Sequence, residues 1–105
     1  MELRCVLLVG LGSPSGEFME WRYLAREVEL DFVPRNGDWV SIELDRGKIY
    51  LIVDWLEHRP FEDPGLVIHC LHSCTTREER LALEAELRGL GFTEASESDA
   101  VATPW

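Results

Sequence analysis

The sequence predicts an α+β fold, a mainly antiparallel, strongly bent sheet or small barrel of about five strands followed by one C-terminal helix. Three observations predict it. Apolar and polar residues alternate in short runs up to Leu71, turn chemistry separates those runs, and helical periodicity takes over only after Cys74. At 105 residues and 46% hydrophobic composition, the chain has the length and composition of one folded domain. That domain is read as 1–92, with 93–105 as an acidic, small-residue-rich, loosely ordered tail in which Trp105 is a candidate anchor.

Residues 2 to 11 read as a strand, with Leu3, Cys5, Leu7, Val9 and Leu11 on one face and Val6 and Leu8 on the other. Gly12 to Glu20 reads as a loop feeding a long strand from Trp21 to Val33. Val28, Leu30 and Phe32 alternate there with Glu27, Glu29 and Asp31, although Phe18, Trp21, Ala25 and Val28 also stand at helical spacing. A helix over 17–27 is the alternative. Pro34-Arg35-Asn36-Gly37 is a turn by chemistry. A short strand comes next, with Val40, Ile42 and Leu44 opposite Trp39, Ser41 and Glu43, and Asp45-Arg46-Gly47-Lys48 closes a tight hairpin.

The returning strand, Ile49 to Leu56, is apolar on both faces. Ile49, Leu51, Val53 and Trp55 face one way and Tyr50, Ile52, Asp54 and Leu56 the other, which predicts a central position. Its second face is covered either within one chain or across a homodimer. His58 to Gly65 is an exposed loop and Leu66 to Leu71 a further strand. Thr75 and Thr76, each with a glutamate three residues on, give a capping-box signature for a helix over Thr76–Leu90. Its apolar positions are Leu81, Ala82, Ala85, Leu87 and Leu90, and Gly89 or Gly91 stops it. Phe92 then packs back on the helix or begins an edge strand.

Lys+Arg 10 against Asp+Glu 20 gives a net charge of −10, with a single lysine, Lys48. Such a chain lacks the clustered cations that displace counterions from nucleic acid, and it is repelled by anionic membrane surfaces. The expectation is therefore no nucleic acid and no membrane, and a protein partner of basic character reached by electrostatic steering. The acidity is spread through both halves of the chain, so it belongs to the faces of the domain. Cys5, Cys70 and Cys74 are odd in number and irregularly spaced, which predicts a reduced, cytoplasmic chain rather than a disulfide framework.

Two segments carry candidate chemistry. Gly10-Leu11-Gly12-Ser13-Pro14-Ser15-Gly16 after an apolar strand has the glycines of a phosphate-cradling loop, which would make the chain nucleotide-binding. The third glycine is one place late and a proline interrupts the run, which favours a plain loop. In His69-Cys70-Leu71-His72-Ser73-Cys74, a continuing strand puts Cys70, His72 and Cys74 on one face, and with His58 these could complete a tetrahedral zinc site. A buried Cys70 acting as a small hydrophobe is the competing reading, and no cofactor is expected on it. No nucleophile, base and orienting group stand together in the sequence, so no catalytic residue is assigned. The interaction surface is expected at Trp39, Trp21, Tyr23 and Glu43, where Glu27, Glu29, Asp31, Glu43 and Asp45 would line the solvent faces of two neighbouring strands.

The run Phe32-Val33-Pro34-Arg35-Asn36-Gly37-Asp38-Trp39-Val40, followed by the Gly47-Lys48 hairpin, resembles the Gly-Asp turn of small SH3-like β-barrels. It is also similar to short uncharacterised bacterial or prophage proteins with a Phe-Val-Pro-Arg-x-Gly-Asp box. The resemblance covers residues 26–56 and implies an architecture, with Pro34, Gly37 and Asp38 as turn positions. Together these readings point to a non-enzymatic interaction protein: an adaptor, an immunity or inhibitor-type protein, or an assembly component.

Overall fold

The computed structural model describes residues 2–45 and 47–95. The elements in order are β1 (Leu3–Ser15), β2 (Phe18–Leu30), β3 (Trp39–Leu44), β4 (Gly47–His58), β5 (Leu66–Ser73), α1 (Arg77–Gly89) and β6 (Thr93–Ala95). They form a single six-stranded sheet in the order β3-β4-β5-β1-β2-β6. The α+β class is as the sequence predicts, but the described residues form six strands rather than five and the sheet stays open rather than closing as a barrel.

β1 and β5 pair in parallel, whereas the other four strand pairs are antiparallel. This pair forms the middle of the sheet. Leu7 to Ser13 of β1 and Val67 to Cys70 of β5 are buried continuously, as parallel strands covered on both faces are. β4, predicted to be central, stands second from the edge, and its Tyr50 and Ile52 are exposed.

The segment Gly12 to Glu20 is no loop, and no helix forms over 17–27. β1 runs on to Ser15, Gly16 turns with φ +63°, and β2 begins at Phe18, in register from Ser15↔Phe18 to Leu3↔Leu30. Thirteen cross-strand pairs outweigh the local helical spacing of Phe18, Trp21 and Ala25, because a long hairpin pairs the facing backbone groups of both strands along their whole length, and the outer edge of β1 is then paired by β5. β2 ends at Leu30, and Phe32 is exposed.

The turn before β3 lies one residue later than the sequence suggests. Asp38 donates its N–H to Arg35 O, Gly37 sits at φ +87° as the third turn residue, and the Asp38 carboxylate accepts from Arg35 N at 2.8 Å, while Pro34 is buried ahead of the turn. β3 and β4 close through Leu44↔Gly47, with Gly47 at φ +130°. Of the predicted Asp45-Arg46-Gly47-Lys48 turn, Arg46 lies outside the described residues.

α1 is capped as predicted. Thr76 is the N-cap and accepts from Glu79 N at 3.1 Å, while Glu79 Oε2 accepts from Thr75 N. At the other end Gly91 N–H bonds Arg88 O and Phe92 N–H bonds Leu87 O, a Schellman closure that needs the positive φ of Gly91 and brings buried Phe92 against buried Leu87. The buried face of α1 is Arg80, Leu83 and Leu87. Leu81, predicted to face the core, is exposed. Leu83, Leu87 and Phe92 share one core with Cys5, Val9, Leu11, Leu24, Leu51, Val53 and Cys70.

After Phe92, Thr93–Ala95 pair with β2, so the predicted loose tail starts as an edge strand. The remainder, including Trp105, lies outside the described residues. Among the described residues no helix is long and apolar enough to cross a membrane.

Candidate functional site

The core and α1 occupy one face of the sheet; among the described residues no helix covers the other. Register places one row of that open face across all six strands: Trp39, Ile52, Leu71, Gly10, Tyr23 and Ala95. Trp39 is 62% exposed, Tyr50 56% and Ile52 38%, whereas Trp21, Tyr23 and Leu71 are half-buried.

Two glycines shape the surface. A Cβ on Gly10 would stand 3.1 Å from both Leu71 Cδ2 and Tyr23 Cε1, and one on Gly12 would stand 2.8 Å from the Trp21 ring. The Tyr23 and Trp21 rings therefore lie down across β1, over positions where any other residue would lift them. The glycines read from sequence as a phosphate loop are strand residues beneath aromatic rings. Gly16 at the hairpin tip leads into β2, so the helix N-terminus that a phosphate would need is missing from this segment.

Below this row the open face is closed by side chains. A β-bulge between Val53 and Trp55 turns Trp55 away from the Leu51 and Val53 side to which simple alternation assigns it. Its indole stacks on His69 at 4.0 Å and 12°. His69 is buried, and its Nε2 lies 2.8 Å from Glu57 Oε1. Arg59 grips the same carboxylate with Nε and Nη2, each at 2.9 Å. An ionised carboxylate only accepts, so His69 carries its proton on Nε2. Burial pushes the imidazole below its ordinary value, with Glu57 opposing in part. Burial alone would raise the Glu57 carboxyl, but hydrogen bonds from Arg59 and His69 outweigh it and hold the group below 4.5. Trp55 covers one face of the His69 ring, and the network joins β4 to β5 beneath it.

The predicted surface residues are thus partly brought together. Trp39, Trp21 and Tyr23 share the open face. Glu43 lies at its margin, 3.9 Å from Lys48 Nζ. The predicted acidic strip on neighbouring strands is not formed, because β2 and β3 are separated by β4, β5 and β1. Glu27 is instead paired with Arg4, which also reaches Asp63. Sequence reasoning misses Tyr50, Ile52 and Leu71 as surface residues. The signal is present in the apolar second face of β4, which polarity alone assigns to burial.

No family model, curated protein or solved structure matches this chain.

The predicted metal set of Cys70, His72, Cys74 and His58 does not converge. Cys70 is buried in the core, its thiol pushed up to about 12 chiefly by burial and then by Cys5 and Asp54. His58 opposes Leu66 at the far end of β5 from Cys74. The group that does converge is His72, Cys74 and Glu79, with ligand atoms within 4.8 Å of one another.

Proposed function

We propose that this chain is a protein-binding module, of the adaptor, immunity or assembly-component kind, whose open sheet face docks a basic protein partner. One observation carries the reading: the registered row Trp39, Ile52, Leu71, Tyr23, flanked by Tyr50 and Trp21, is aromatic and aliphatic and has no covering element among the described residues. Tryptophan and tyrosine anchors of this kind concentrate binding energy. Six strands at about 4.8 Å spacing give a platform about 24 Å wide, enough for a standard interface. The net charge of −10 steers a cationic partner, and arginine or lysine side chains stack favourably on exposed indole and phenol faces.

The test is a pull-down at low and high salt comparing the wild-type chain with Trp39→Ala, Ile52→Lys and, as a control on the 59–65 loop, Phe61→Ala. The expected result is a partner held by wild type and Phe61→Ala, released by salt, and bound about 30-fold more weakly by Trp39→Ala, as loss of about 2 kcal/mol at a hot spot implies. Equal capture by the face variants would overturn the reading. A dimer in sedimentation that the same substitutions dissolve would also overturn it, replacing the partner by a second copy.

A further inference from the structure

We propose that His72, Cys74 and Glu79 form a three-ligand site for a divalent transition metal of the zinc class, built where the end of β5 meets the first turn of α1. The three ligand atoms lie within 4.8 Å of one another. Metal–ligand bonds of about 2.0–2.3 Å at tetrahedral angles put ligand atoms about 3.3–3.8 Å apart, so closure by about 1 Å completes the site.

Each ligand is held from behind by backbone. Cys74 N–H donates to Gly12 O at 2.7 Å, extending the β1–β5 pairing past the end of the strand. His72 Nδ1 lies 3.3 Å from Tyr50 O. A carbonyl only accepts, so this contact selects the tautomer with Nδ1–H and leaves Nε2 as the basic nitrogen. Glu79 Oε2 accepts from Thr75 N at 3.0 Å, and a carboxylate that keeps this bond still has Oε1 to offer a metal.

The donor chemistry fits the same ion class. One imidazole nitrogen, one sulfur and one carboxylate oxygen suit a borderline-soft dication rather than magnesium or calcium, which take oxygen ligands. Binding deprotonates Cys74 and releases its proton to solvent, so thiolate and carboxylate together balance a charge of +2. Three protein ligands leave a fourth position for water or for a donor from a bound molecule.

The probe is Co2+ alone, titrated into the purified chain and followed by optical spectroscopy, then displaced with Zn2+. The expected result is one Co2+ per chain, a thiolate-to-cobalt charge-transfer band, release of one proton, and displacement by Zn2+. Cys74 is buried, so the deciding variants are His72→Gln and Glu79→Gln, the latter retaining an oxygen for the Thr75 cap. Each is expected to weaken Co2+ binding at least about tenfold while His58→Gln binds as wild type. Absence of the charge-transfer band, or equal affinity in all four proteins, would overturn the site.

Discussion

Arg80 is the residue whose position is least expected from its neighbours in the chain. It lies in α1 among charged residues, yet only 1% of it is exposed. Its Nε donates to Ser13 Oγ at 2.7 Å, Nη1 to Glu84 Oε2 at 2.9 Å, and Nη2 stands 3.5 Å from Glu20 Oε1. A buried guanidinium persists only when its donors are matched, and here β1, β2 and α1 each supply an acceptor. Truncation would strand Glu84 beside the core. Arg80→Ala is expected to cost about 3 kcal/mol in urea unfolding, whereas the triple variant Arg80→Met with Ser13→Ala and Glu84→Leu should recover most of that loss, because apolar replacement of the guanidinium together with its two closest acceptors removes most of the desolvation penalty. A loss below about 1 kcal/mol for Arg80→Ala would show that the network contributes little. Sequence periodicity marks Leu81 as inward because it scores side chains by polarity alone. It cannot register that three partners, two of them far away in the chain, make arginine acceptable inside.

Two glycines show at the element scale why context decides. Gly12 lies in β1 under the Trp21 ring, where a methyl group would meet the ring at 2.8 Å, whereas Gly89 ends α1 with nothing within 4 Å. Gly12→Ala is therefore expected to destabilise by about 1–2 kcal/mol and to lift the indole into solvent, detected as a red shift of tryptophan emission that Trp21→Phe abolishes. Gly89→Ala is expected to be neutral or stabilising by up to about 1 kcal/mol, since alanine favours helix. Equal effects from the two substitutions would refute the packing account. Alternating glycines in an apolar run are legible in the sequence as a signal of close approach. Whether a phosphate or an aromatic ring makes that approach depends on the next element, and here it is a hairpin partner instead of a helix.

The whole molecule adds a pH dependence. The folded state holds His69 neutral, its proton affinity below the ordinary 6.5, so on acidification the unfolded chain takes up a proton that the folded chain resists. Stability contributed by this group is complete above about 6.5 and is lost as pH falls below it. Glu57 acts in the same direction lower down, since its folded value lies under 4.5 and its contribution disappears as pH falls through that range. Many other carboxylates titrate in the same acid range, so the measurement is a difference: wild type against His69→Asn, by urea unfolding between about pH 7.5 and 5. The wild type is expected to lose stability more steeply over this window, and parallel curves would sink the assignment.

Legible from local sequence are the α+β class, the β3–β4 hairpin, a threonine cap at Thr75 or Thr76, a glycine stop at Gly89 or Gly91, and the presence of Trp39 on an outer face. These rest on interactions within a few residues, where period, turn chemistry and capping are written locally. Only the tertiary structure decided that β1 and β5 pair in parallel at the centre, that β2 and β3 stand far apart, that Trp39, Ile52, Leu71 and Tyr23 form one row, and that Glu79 rather than Cys70 or His58 joins His72 and Cys74. Those arrangements depend on strand order, and strand order is set by which buried surfaces fit together across the whole chain, a sum over distant pairs that no local window contains.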